Sequence, residues 1–301
     1  MEQDLLQSVV RGRVRINERL AQYTTFRIGG PCQFLFEPVD VSDLQIALTW
    51  IKAHHIPFLM IGSGANMLVK DGGYHGLVIR LSHPFFCQMH IQDTLLRVGA
   101  GTSLAKLLHK TVDEGLSGME FMAGIPGTVG GALRMNAGAF GGQMSDGLVS
   151  LTMLDVNGKL YEYTKEKCGF AYRKCETLQN GIAVEAVFKL TSSDSKIIKR
   201  KIAELEAIRG YNYPNKPTAG CFFKNPEGFK AGKIIDELGL KNMSCGGAKV
   251  SLEHGNFIIN QGQATAQDVL GLVEKIKKIV YEKNHIHLEY EVIVVGDDMH
   301  E

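Results

Sequence analysis

The segment 120–142 constrains this chain more than any other. It reads Glu-Phe-Met-Ala-Gly-Ile-Pro-Gly-Thr-Val-Gly-Gly-Ala-Leu-Arg-Met-Asn-Ala-Gly-Ala-Phe-Gly-Gly, with seven glycines between Gly124 and Gly142. Phe121, Met122, Ile125, Val129, Leu133, Met135 and Phe140 punctuate it, which argues for a packed interior rather than a linker. Glycine loses much conformational entropy on folding. Dense glycine inside an apolar run therefore implies close approach of the backbone to something, or positive φ. A bulky, flat, phosphate-bearing ligand held by main-chain N–H groups meets that description. A bend-rich crossing between packed elements is the alternative.

Two shorter loops share the style. Met60-Ile-Gly-Ser-Gly-Ala-Asn-Met-Leu-Val69 follows an apolar, strand-like run, and Leu96-Arg-Val-Gly-Ala-Gly-Thr-Ser-Leu-Ala105 leads into a helical pattern through Leu104, Leu107 and Leu108. Neither completes a dinucleotide fingerprint, because Met67 and Leu104 stand where the third glycine belongs. No Gly-Lys-Ser/Thr follows, so a Walker-type loop fails too. A non-Rossmann chain remains, with three glycine loops able to surround one extended cofactor.

The wider composition suits an intracellular enzyme. The 301 residues imply two or three domains, and 33 basic against 32 acidic residues leave a net charge of +1. No global field therefore attracts nucleic acid or an anionic membrane. Cys32, Cys87, Cys168, Cys175, Cys221 and Cys245 lie without Cys-x-x-Cys spacing, as free thiols in a reducing compartment. The acidic start Met1-Glu-Gln-Asp-Leu-Leu lacks a signal-peptide core, and no run approaches the roughly 20 apolar residues of a membrane span. A cytoplasmic protein with no nucleic-acid, membrane or obligate protein partner is expected.

Three regions are expected: 1–82, 83–192 and 193–301. The first alternates strands (Gln33 to Glu37, Pro57 to Ile61, Leu77 to Arg80) with a helix from near Ser42 carrying Leu44, Ala47, Leu48 and Ile51. The second is strand-rich, and Asn157-Gly158 reads as a two-residue hairpin turn. The polar patch Thr191–Ser195 precedes a helix with Ile198, Ile202, Leu205 and Ile208 on one face. Thr265 and Asp268 approximate a capping box for a helix burying Val269, Leu272, Val273, Ile276 and Val280. A strand over Ile286–Val295 follows by β-branched content.

Three features of the second half carry candidate chemistry. Arg173 follows an aromatic in Phe170-Ala-Tyr-Arg173, Cys221 sits in Gly220-Cys-Phe-Phe-Lys-Asn-Pro226, and Glu291 lies in an otherwise apolar strand. Each has a plainer reading: a capping arginine, a packed thiol and a water-facing carboxylate. His54-His55 and His285-x-His287 lack carboxylate or cysteine partners at ligand spacing, so no metal site is expected.

Taken in order, Thr24–Pro31, Gly62–Val69, Ala123–Ala132, Met135–Gly138, Gly220–Pro226, Ala231–Ile235, Gly239–Lys241, His254–Asn260 and Glu291-Val292 closely resemble the UDP-N-acetylenolpyruvoylglucosamine reductase family in its shorter, second type. The resemblance runs from about Asn17 to Gly296. It implies an α+β protein: a vanillyl-alcohol-oxidase-type (PCMH-type) FAD-binding region of two α+β subdomains, then a C-terminal α+β substrate domain. The implied reaction completes UDP-N-acetylmuramate for peptidoglycan synthesis. NADPH is the co-substrate, and flavin N5 delivers hydride to the enolpyruvyl ether of UDP-N-acetylglucosamine-enolpyruvate.

The resemblance also implies a site. The diphosphate of FAD would lie along Gly62, Ser63, Gly64, Ala65, Asn66 and Met67, held by dipoles rather than by a basic cleft. Its ring would lie near Gly124, Ile125, Pro126, Gly127, Thr128, Gly130, Gly131, Ala132, Asn136 and Gly138. Tyr172, Arg173, Lys224 and Asn225 would bind substrate. Arg173 and a protonated Glu291 would stabilise the enolate. Cys221 would donate the proton where the family more often has serine, since a thiol of reference pKa about 8.5 is mostly protonated at neutral pH. Another FAD-dependent oxidase of the same fold, or a non-catalytic FAD-binding sensor, would need the N-terminal motifs but not Arg173, Cys221 and Glu291 together.

Overall fold

The computed structural model describes residues 2–298. The chain divides into two compact units. The first comprises residues 1–16, 34–63 and 76–207, the second 17–33, 64–75 and 208–301. The expected boundaries at 82/83 and 192/193 both fall inside the first unit.

The first unit is built on a five-stranded antiparallel sheet in the order Leu160–Thr164, Leu148–Asp155, Gly181–Lys189, Leu95–Gly99, Met89–Gln92. Along Gly181–Lys189 the period-two set Ile182, Val184, Ala186 and Phe188 is buried. The short helix Val129–Arg134 packs on that strand. A second, four-stranded sheet runs Arg13–Arg19, Pro31–Glu37, Tyr74–Ile79, Phe58–Met60, with Leu59 opposite Val78 in its parallel pair. The helix Val41–Ala53 buries Leu44, Ala47, Leu48 and Ile51 in one core with Phe34 and Phe36. Asp43, wholly buried near its start, is satisfied by the main-chain N–H groups of Arg11, Gly12 and Val39 at 2.7, 2.8 and 3.0 Å.

The hairpin expected at Asn157-Gly158 is present, but its turn is longer than two residues. Asp155 N donates to Lys159 O, and the Asp155 carboxylate accepts from the main chain at Asn157 and Lys159. Only Gly158 takes positive φ, at 78°. The aspartate stabilises a three-residue loop with a left-handed glycine in place of the type I′ turn.

The second unit pairs Ser244–Cys245, Ala248–Val250 and Ile258–Asn260 as an antiparallel sheet. The helix Ala266–Asn284 covers it, started by a complete Thr265/Asp268 capping box, with Val269, Leu272, Val273, Ile276 and Val280 buried. Ile293–Val295 runs parallel to Met67–Val69. The strand expected over Ile286–Val295 is therefore regular only at its end. Upstream, Glu291 N and Val292 N both point at the Phe222 carbonyl, at 2.9 and 3.4 Å, so the ladder is bulged and short. Along the helix Ser195–Asn212, Ile198 is buried, whereas Ile208, expected on the same face, is 48 % exposed.

Asp40 caps the helix Val41–Ala53, accepting from Asp43 N at 2.9 Å and ion-pairing Arg11 at 2.6 Å. The Asp43 N–H, with Arg11 and Ser42 adding to it against burial, pulls its pKa down to about 2. Because the folded value lies below the unfolded one of about 3.9, this stability is present above about pH 4 and is lost as pH falls through 2. Asp40→Ala should cost about 1 kcal/mol at pH 7. Denaturant titrations of both proteins should converge as pH falls toward 2.

Candidate active site

In the first unit the glycine loops meet through their own backbones. Leu104 N donates to Gly127 O at 3.0 Å, Val129 N to Thr102 O at 2.9 Å and Gly130 N to Ala100 O at 2.8 Å. Ser103 caps the helix Leu104–Asp113 and Thr128 caps Val129–Arg134. Gly62 closes on the same place: a Cβ there would lie 2.4 Å from Thr128 Oγ1, so only glycine allows this approach. Together they bound a cavity of about 300 Å³ lined by Gly62, Ser63, Gly101, Ser103, Thr128, Gly130 and Gly131.

Of the sixteen residues expected to hold FAD, five line this cavity: Gly62, Ser63, Thr128, Gly130 and Gly131. Cations absent from the sequence reading, Arg80, Lys106 and Arg134, join them. The wall of this cavity is thus not made of main-chain dipoles alone. Arg134 is held by the Leu178 carbonyl, and burial lowers its pKa. Serine and threonine hydroxyls, helix starts and cations suit a diphosphate, so these residues fit an FAD. Behind them Thr102 Oγ1 is buried without a hydrogen-bond partner.

The remaining ring-binding candidates in this unit lie outside that lining. Ala132 is buried in the helix Val129–Arg134, and Gly124 turns the chain at φ 69° ahead of Ile125, Pro126 and Gly127. Asn136 is 4 % exposed. Its amide donates to Gln143 Oε1 and Ala171 O at 3.0 and 3.2 Å and accepts from Ser145 N at 3.1 Å, so the side chain serves the protein itself. Those bonds bring Asn136–Gly138 beside the Tyr172–Arg173 turn, where Arg173 Nη1 lies 3.4 Å from Gly138 O. Arg173 takes φ 56°, a costly conformation for a non-glycine residue and one that clusters at functional sites. Its guanidinium lies over the exposed ring of Tyr172 at 5.2 Å.

In the second unit, Phe222 joins two candidates. Cys221 bridges to Phe257, and the next carbonyl, that of Phe222, accepts from Glu291 N at 2.9 Å. The Glu291 carbonyl in turn accepts from Asn66 Nδ2 at 3.1 Å, and Asn66 O accepts from Ile293 N at 3.0 Å. Asn66, expected at the cofactor, is therefore bonded to the segment 291–293 that carries Glu291. Gly64 sits against Tyr23 O and Thr24, Ala65 follows it, and Met67 opens the parallel strand pair. Lys224 pairs with Glu289 at 3.0 Å, and Asn225 Oδ1 accepts from Ala231 N at 3.1 Å, starting the helix Ala231–Glu237.

A cluster that sequence reasoning missed flanks Cys221. Arg209 lies over Tyr213 at 4.7 Å, Tyr213 stacks on His254 at 5.6 Å, and both rings meet Phe257 edge-on. Burial lowers the Arg209 pKa, while Tyr213 and Cys221 oppose the shift. Burial, then Lys241, lowers that of His254, whose Nδ1 accepts from Asn256 N at 3.1 Å. No spacing rule links residues 209, 213 and 254; the aromatic content of the region was the only available signal.

Comparison with known proteins accounts for both units. Residues 32–164 match an FAD binding domain, and residues 212–295 match the C-terminal domain of UDP-N-acetylenolpyruvoylglucosamine reductase. The enzyme of that name from Geotalea uraniireducens is 42 % identical over 295 residues, 97 % of each chain. Its namesake from Clostridioides difficile is 39 % identical over 297 residues, 98 % of this chain and 97 % of that one. The crystal structure of UDP-N-acetylenolpyruvylglucosamine reductase from Thermus caldophilus superposes with a TM-score of 0.81 at 39 % identity, covering 95 % of this chain and 99 % of that one. A Physcomitrella patens BBE-like 1 variant, 19 % identical with a TM-score of 0.50, covers 63 % of this chain and 44 % of that one and shares the fold alone. Identity at this level over nearly the whole of both chains means that this chain belongs to the UDP-N-acetylenolpyruvoylglucosamine reductase family of FAD-dependent oxidoreductases.

Proposed function

We propose that this protein reduces the enolpyruvyl ether of UDP-N-acetylglucosamine-enolpyruvate to UDP-N-acetylmuramate with NADPH, in the cytoplasm and without an obligate protein partner. The observation that carries the reading is the Phe222 carbonyl, which binds the Cys221 segment to Glu291. An oxidase built on the same cofactor fold has no need of that pair.

Residues 1–82 and 83–192 form the cofactor region, and 193–301 the substrate region. Gly62, Ser63, Thr128, Gly130 and Gly131, with Ser103, Arg80 and Lys106, would hold FAD. The cations and hydroxyls offset phosphate charge. Bound flavin supplies the capacity to take hydride from NADPH and release it to the enolpyruvyl carbon. Arg173 binds the substrate carboxylate and stabilises the charge that develops there, its guanidinium remaining protonated throughout. Its place in a strained two-residue turn fixes its direction in advance. Cys221 gives its S–H proton to the α-carbon, and Glu291, held at both its N–H and its carbonyl, supports the enolate. Tyr172, Lys224 and Asn225 contact the substrate.

Two outcomes test the assignment. Purified protein should carry FAD and bind FMN much more weakly. Gly62→Val should lower FAD occupancy, because its Cβ alone meets Thr128 Oγ1 at 2.4 Å. Absorbance and released-cofactor analysis read both; equal FMN affinity would refute the cofactor assignment.

In anaerobic stopped flow, Cys221→Ala should leave flavin bleaching by NADPH intact. Reoxidation by the enolpyruvyl substrate should slow by roughly 10² to 10⁴-fold. Cys221→Ser should retain substantial turnover. If both half-reactions survive in the alanine protein, the thiol is packing and the proton comes from elsewhere.

A further inference from the structure

The hairpin that presents Arg173 has two cysteines at its base. Phe170–Ala171 pairs antiparallel with Lys174–Cys175, with Phe170 opposite Cys175, and Tyr172-Arg173 forms the turn. One step outward, Glu176 N donates to Gly169 O at 3.1 Å, which brings Cys168 alongside. Both thiols are wholly buried. The Cys168 thiol donates to Thr164 O at 3.3 Å, and Cys175 Sγ lies 3.5 Å from Cys168 O and 3.4 Å from Thr177 Oγ1, which sets the two cysteines against each other. Neither has a role in the reaction proposed above.

The surroundings divide the two thiols into an acidic and a resistant one. The Cys168 thiol, the Thr177 hydroxyl and the N–H groups of Thr177 and Leu178 adjoin the Cys175 sulfur. These donors lower the Cys175 pKa against burial, and the Arg134 charge lies within reach. The same contact raises that of Cys168. Thiolate character is what makes a cysteine reactive toward peroxide. Leu178 and Arg134, which neighbour Cys175, also line the first unit's cavity.

We propose that Cys168 and Cys175 are a redox modification site. Under peroxide they form a reversible intrachain disulfide that clamps the base of the Arg173 hairpin and lowers turnover. The Cys175 thiolate attacks one oxygen of hydrogen peroxide, the O–O bond breaks, and the departing hydroxide takes a proton to leave as water. The Cys168 sulfur then attacks the resulting Cys175 sulfenic acid. The S–S bond forms, the S–O bond breaks, and the Cys168 proton leaves with the second water. Two thiols are oxidised to a disulfide and one peroxide is reduced to two waters. A dithiol reductant reverses the change by exchange. Replacing the Cys175 Sγ contact with residue 168 by an S–S bond of about 2.05 Å ties the two sides of the hairpin together beneath Arg173.

The test uses the FAD-loaded protein as purified. After hydrogen peroxide treatment, free thiols are blocked with N-ethylmaleimide under denaturing conditions and the chain is digested with trypsin without reductant. Cleavage after Arg173 and Lys174 separates the two cysteines, so the disulfide appears as peptide 168–173 linked to peptide 175–189 and is released by dithiothreitol. This linkage should form in wild-type protein and be absent from Cys168→Ser and Cys175→Ser. Recovery of both thiols as maleimide adducts, or of Cys175 as an unlinked sulfinic acid, overturns the proposal, whatever reaction the protein catalyses. In a Cys221→Ser background, which removes the other reactive candidate, peroxide should lower turnover roughly 10-fold or more, since small displacements of a catalytic group are costly. Dithiothreitol should restore it, and a further Cys175→Ser should abolish the response. A complete disulfide with unchanged turnover overturns the link to Arg173.

Discussion

Three backbone hydrogen bonds between the 100–104 and 127–130 segments hold the first unit's cavity together. The bridge of Ser103 to Thr128 lies in the same seam. Buried N–H and C=O groups left unpaired cost about 1–3 kcal/mol each, so the two loops are far more stable zipped than apart. Everything else in the cavity follows from that seam. The starts of Leu104–Asp113 and Val129–Arg134 are brought side by side, and Gly62 fits against Thr128 because nothing larger can. Glycine in these loops answers the protein's own packing before it answers any ligand.

The second unit uses one carbonyl in a comparable way. Phe222 O accepts two N–H groups from the 291–292 step, which shifts the register there and fixes Glu291 relative to Cys221. Phe222 and Phe223 are each 1 % exposed, so the residues between the thiol and Lys224 are anchored in the core. Motion of Cys221 would therefore disturb that packing. The Arg209–Tyr213–His254 stack lies beside this segment, with the Arg209 charge near Cys221.

Arg173 illustrates the same economy. Asn136 connects three segments of sequence, and one of its bonds, to Ala171, sets the hairpin whose tip is Arg173. Its amide binds no ligand through these atoms, yet its loss would move residues that the resemblance places at the chemistry. The Cys168–Cys175 contact lies at the opposite end of that hairpin, so two independent constraints act on one two-residue turn.

Much of the architecture was legible in the sequence because it rests on local physics. Glycine density marked the three loops, helical spacing marked Val41–Ala53, Leu104–Asp113 and Ala266–Asn284, and Thr265 with Asp268 marked a cap that forms fully. The ordered motifs also carried the family, because many short matches in one order are far more specific than any single glycine loop. What the sequence could not supply depended on partners distant along the chain. The Asn157-Gly158 turn was lengthened by the Asp155 carboxylate, and the strand before Val295 was shortened by a shared carbonyl. Arg80, Lys106 and Arg134 entered the cavity wall although no motif contains all three. Charge, burial and register at such places are properties of which segments meet, and only the folded backbone decides that.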